Sequence, residues 1–114
     1  MTETTEATRL RLFIGESDTH AGRPLHEAIV LAARASGLAG ATVLRGALGY
    51  GRSSRLHSAK ILRLSEDLPI IVEIVDTPER IERFLEEIRP MLGSCLVTLE
   101  TLRILRYGHD AGLG

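Results

Sequence analysis

The run Leu68-Pro69-Ile70-Ile71-Val72-Glu73-Ile74-Val75 is the strongest constraint on how this chain can fold. Nearly every residue from Ile70 on is β-branched, which favours an extended backbone with side chains packed on both faces. Asp76-Thr77-Pro78-Glu79 follows at once. A hydroxyl at the cap, proline in the first turn and a carboxylate near the positive end of the dipole predict a helix start. Ile81, Phe84, Leu85, Ile88 and Leu92 then recur at helical spacing, and Pro90 is expected to disturb the last turn. A final strand is predicted over Leu96 to Tyr107.

The first half repeats this order. Leu10, Leu12 and Ile14 alternate with Arg9, Arg11 and Phe13 in a strand closed by Gly15. A polar loop, Glu16 to Gly22, precedes Pro24, which suits a helix start. Leu25, Ala28, Ile29, Ala32 and Ala33 form its apolar stripe, and Gly37 stands where a left-handed cap is needed. Ala41 to Leu48 reads as a second strand, and Ile61 to Leu64 is apolar enough to resume extended structure. The order is βαββαβ. Right-handed crossovers then give an α+β, ferredoxin-like domain: a four-stranded antiparallel sheet with two helices on one face. A single domain over residues 9–107 is expected, with flexible tails at 1–8 and 108–114.

Two consequences follow from that topology. Ile70, Val72 and Ile74 oppose Ile71 and Val75 across the third strand, so apolar side chains also fall on the face without helices. A second copy of the chain is expected to cover them. The exit of the first strand, the start of the first helix, the long loop and the turn before the last strand must also share one end. Glu16, Asp18, His20, Arg23, the stretch 49–60 and Gly93 to Cys95 are therefore candidates for one region.

The charge pattern singles out the loop. Net charge is −1 over 114 residues, which gives no case for a general nucleic-acid binder. Between Glu27 and Glu66, however, no acidic residue offsets Arg34, Arg45, Arg52, Arg55, Lys60 and Arg63. Gly49 and Gly51 permit close backbone approach to an anion, and Arg52, Ser53, Arg55, His57 and Lys60 supply donors. A solvated hairpin is the plain alternative for the same residues. Gly46-x-x-x-x-Gly51-Arg52-Ser53 approaches a Walker A pattern, but serines and another strand follow where a phosphate-binding helix is required. Cys95, the sole cysteine, excludes an internal disulfide, makes the cytoplasm the default compartment and reads as a small core residue. No nucleophile, base and orienting-group spacing marks an enzyme.

Gly15-Glu16-Ser17-Asp18, Leu38-Ala39-Gly40-Ala41-Thr42-Val43, Arg45-Gly46, Gly49-Tyr50-Gly51, Ser54-Arg55-Leu56-His57 and 61–69 closely resemble the bacterial family known as domain of unknown function 190. That family is similar to the PII signal-transduction proteins. The resemblance implies a homotrimer, an adenine nucleotide as effector in the clefts between subunits, and a loop that regulates a partner, a membrane transporter as with PII. It places Gly49, Gly51, Arg52 and Ser53 at the loop base and Ser54 to Lys60 in the loop. The turn Met91 to Val97 departs from PII, with one glycine and no phosphate-holding lysine, which argues against ATP binding in the PII manner. The rival reading is a metal-binding trimer resembling copper-tolerance proteins, using Glu16, Asp18, His20 or His57.

Overall fold

A computed structural model describes residues 3–47 and 68–105. In chain order these form β1 (Thr4–Gly15), β2 (Thr19–His20), β3 (Arg23–Pro24), α1 (Leu25–Ala35), β4 (Thr42–Arg45), β5 (Pro69–Asp76), α2 (Pro78–Leu92) and β6 (Leu96–Leu105). The main sheet has the order β4-β5-β1-β6, and every pairing in it is antiparallel. This is the ferredoxin-like arrangement expected from the βαββαβ order.

Alternation decides what the sheet buries. Leu10, Leu12 and Ile14 of β1 and Ile70, Val72 and Ile74 of β5 are buried against Leu25, Ile29 and Ala33 of α1 and Ile81, Phe84 and Ile88 of α2. Full burial of each larger apolar side chain contributes about 1.5–3 kcal/mol before entropy is counted. The helices start and stop where local chemistry directs. The Thr77 hydroxyl accepts from the Arg80 N–H at 3.3 Å, and Pro78 occupies the first turn. Gly37, at φ 76°, turns the chain out of α1 in the left-handed region that glycine tolerates.

Three details depart from the sequence reading. The tail expected at residues 1–8 is part strand: β1 begins at Thr4, and Thr4 to Thr8 pair with Leu105 to Thr101. Three β-branched threonines and the buried Ala7 suit an extended ribbon better than a frayed end. Polar loop 16–22 contains a two-residue hairpin, in which Ala21 and Gly22 both take positive φ (53° and 79°). That is the requirement of a tight primed turn. As the apolar stripe through Leu92 required, α2 runs two residues past Pro90, because proline removes only one hydrogen bond and Met91 and Leu92 gain core contacts. β4 is short, ending at Arg45. The strand expected over Ile61 to Leu64 and the tail 108–114 lie outside the described residues.

Candidate functional site

Register fixes which residues meet. Gly15 pairs with Pro69, Arg45 with Ile70 and Phe13 with Leu96. The exit of β1, the end of β4, the start of β5 and the start of β6 therefore share one end of the sheet, as the topology required. The stretch 48–67 leaves and returns there, between Ala47 and Leu68.

Two local devices bind the feet of that stretch. Gly46 N–H donates to the Pro69 carbonyl at 2.8 Å. A β-carbon on Gly46 would lie 2.7 Å from Pro69 Cγ, so only glycine lets the two backbones approach this closely. Gly46→Ala is expected to lower stability by about 1–2 kcal/mol: overpacking against a rigid ring is partly offset by a less flexible unfolded chain. Thermal unfolding followed by circular dichroism measures it, and an unchanged midpoint would contradict the close-approach argument. The second device is Glu16. Its backbone N–H donates to the Leu68 carbonyl at 2.8 Å, and its carboxylate forms an ion pair with the Arg45 guanidinium.

Asp18 is occupied structurally. Its Oδ2 accepts from Gly15 N–H at 2.9 Å, its own N–H donates to the Gly15 carbonyl, and its carbonyl accepts from Leu25 N–H. The carboxylate thus shapes the turn that leads into α1. His20 and Arg23 pair in the β2–β3 hairpin and are exposed. Among the described residues no group of three or more His, Cys, Asp or Glu could hold a metal ion. Half-buried Cys95 packs against the core. Burial pushes its thiol pKa up, the Asp18 charge adds to that, and a backbone hydrogen bond at Phe13 opposes it. A protonated, partly buried thiol is a poor nucleophile.

Of the predicted ligand residues, Arg45 alone lies within the described part of the chain, at the end of β4 and half exposed. Gly49, Gly51, Arg52, Ser53, Arg55, His57 and Lys60 lie outside it. Sequence reasoning missed Glu16 as the partner of Arg45 and gave no role to His26 of α1, whose Nδ1 is buried without a hydrogen-bond partner among the described residues. No periodic signal marks either.

The face of the sheet without helices is patterned across the strands. Leu44, Ile71, Phe13 and Leu96 form one row from edge to edge. Beside it Arg11 Nε donates to Glu73 at 2.8 Å, and farther along Arg9 pairs with Glu100. The hydrogen bond from Arg9 holds the Glu100 carboxyl below its ordinary range, and that same bond raises the Arg9 pKa.

The fold is α+β and ferredoxin-like, and it is one that PII-like proteins share. A structure described as CPII bound to ADP and bicarbonate, from Thiomonas intermedia K12, superposes with a TM-score of 0.67 at 15% identity, covering 91% of this chain and 93% of that one. A putative PII-like signaling protein from Thermus thermophilus gives a TM-score of 0.57 at 15% identity, covering 91% and 92%. The family is set by sequence. The model of DUF190, "Uncharacterized ACR, COG1993", matches residues 7–104, and the chain belongs to that family. It is 38% identical over 96 residues to a UPF0166 protein of Aquifex aeolicus, spanning 84% of this chain and 90% of that protein. A UPF0166 protein of Methanocaldococcus jannaschii is 35% identical over 83 residues, spanning 73% and 76%. No described helix is long and apolar enough to cross a membrane.

Proposed function

We propose that this protein is a cytoplasmic, non-enzymatic regulator of the PII kind. It acts as a homotrimer that binds a small anionic effector, an adenine nucleotide, at clefts between subunits. Residues 51–60 then engage a regulated protein, a membrane transporter by analogy with PII. The observation that carries this reading is the meeting of Glu16, Arg45-Gly46 and Leu68-Pro69 at one end of the sheet. The stretch with Gly49, Gly51, Arg52, Ser53, Arg55, His57 and Lys60 starts and finishes at that point. The fold likeness to a protein solved with ADP supports the choice of effector. The absence of a lysine in the turn 91–97 favours a nucleotide with fewer phosphates than ATP.

Calorimetric titration with AMP, ADP and ATP tests the effector. Heat is expected with at least one of them. Replacing Arg52 and Arg55 together by alanine is expected to weaken binding tenfold or more, since charge-assisted bonds to phosphate contribute about 1.5–3 kcal/mol each. No heat with any nucleotide, or affinity untouched by the double replacement, would sink the reading.

A further inference from the structure

Among the described residues, Glu16 is the one that touches both feet of the stretch 48–67: backbone N–H to Leu68, carboxylate to Arg45. Its backbone is fixed by that 2.8 Å bond and by the adjoining Gly15–Asp18 turn. Arg45 is fixed in the same way, because the next residue, Gly46, is bonded to Pro69. The two side chains are nonetheless open to solvent, Arg45 at 50% and Glu16 at 31% exposure. An ion pair so exposed is held weakly, because solvent screens it. A solute anion can therefore reach the guanidinium and displace the carboxylate without moving either backbone.

We propose that Glu16 is an intramolecular competitor for the anion that Arg45 receives. This rests on the effector reading above and adds to it a binding residue and a guard. Arg45 is the receiver, and its planar fork suits a phosphate, which it can grip with two parallel bonds. Glu16 occupies it through the ion pair within the chain. Only an anion carrying more charge than one carboxylate displaces Glu16 efficiently, so the ligand class is a phosphate or pyrophosphate group rather than a small monocarboxylate. The Asp18 carboxylate is turned instead to the Gly15 N–H, which its Oδ2 accepts.

The test is titration of the full chain and its variants with ADP, with inorganic pyrophosphate as a second probe. Glu16→Gln removes the competing charge and leaves the backbone bond to Leu68 in place. ADP affinity is expected to rise about threefold to tenfold, the range that follows from loss of a weak exposed pair plus its like-charge repulsion. Glu82→Gln, an exposed change of equal charge on α2, is expected to have no such effect. In an Arg45→Ala background ADP binds more weakly, and adding Glu16→Gln brings a smaller gain than it does in the parent, because only the like-charge repulsion is left to relieve. If Glu16→Gln loses the parent's circular dichroism, Glu16→Asp replaces it, with a smaller gain of the same sign. Parent-like or weaker binding in the Glu16 variants, with the parent still binding ADP, overturns the guard and leaves the effector reading standing. Failure of parent and variants alike to bind either probe overturns both.

Discussion

Asp76→Ala is expected to lower the stability of the domain by about 2–4 kcal/mol, the range for stranding buried partners of a carboxylate. Asp76 closes β5 at the end of the sheet opposite the candidate site and is fully buried. Its Oδ1 accepts from Thr77 N–H at 2.7 Å and its Oδ2 from Ala39 N–H at 2.9 Å. Arg80 Nη1 lies 3.5 Å away, and the same guanidinium donates to the Gly37 carbonyl. One carboxylate thus ties the start of α2 to the turn between α1 and β4. Alanine would leave two backbone N–H groups without their acceptor and a guanidinium without its countercharge. Asp76→Asn repairs little, since its amide has a single oxygen for two backbone donors and turns an N–H group toward one of them. Urea unfolding at fixed chain concentration measures the effect. A loss of that size moves the midpoint by about 1–3 M with m unchanged. A shift under about 0.3 M would show that water takes over the carboxylate's bonds.

The contrast between Asp76 and the core shows what a sequence of this kind reveals. Alternation in Leu10-x-Leu12-x-Ile14 and the spacing Ile81, Phe84, Ile88 are periodic signals, and they placed sheet, helices and core. Thr77-Pro78 marked the helix start because capping is local chemistry. Asp76 precedes that cap and reads as part of it, yet one of its partners, Ala39, is 37 residues away. Such a contact has no period. The Glu16–Arg45 pair and the Gly46–Pro69 approach were illegible for the same reason. They depend on register between strands, and register emerges only once the sheet is assembled. Thr4 to Thr8 misled in the other direction. Polar residues resemble a tail, but threonine is at home in an exposed ribbon, and the pairing partner that decides the matter is 101–105 at the far end of the chain. The candidate site was legible as a meeting of loops at one end; its internal wiring was not.

The second large effect is on assembly. If the chain functions as a trimer, Ile71→Lys should abolish it. Ile71 sits inside the row Leu44–Ile71–Phe13–Leu96, with Leu44 on one side and Phe13 on the other. Leu44 and Leu96, at the two ends of the row, are 42% and 60% exposed in the single chain. An apolar strip across all four strands is a poor surface for an isolated domain and a good centre for an interface. The charges on that face do not oppose being covered. Arg11 pairs with Glu73 and Arg9 with Glu100 within one chain. A second copy therefore desolvates paired ions and not lone ones, which is the tolerable case. A lysine at position 71 has no such partner, and its burial against leucine and phenylalanine carries the full penalty of an unpaired charge. Sedimentation velocity is expected to show the parent as three copies of the 12.5 kDa chain and Ile71→Lys as one. Leu31→Lys, an equal change at an exposed leucine on α1, is expected to leave the assembly intact. A parent chain that sediments as a monomer would falsify the trimer. A trimer that survives Ile71→Lys would move the interface off this face, and with it the clefts in which the effector is proposed to bind.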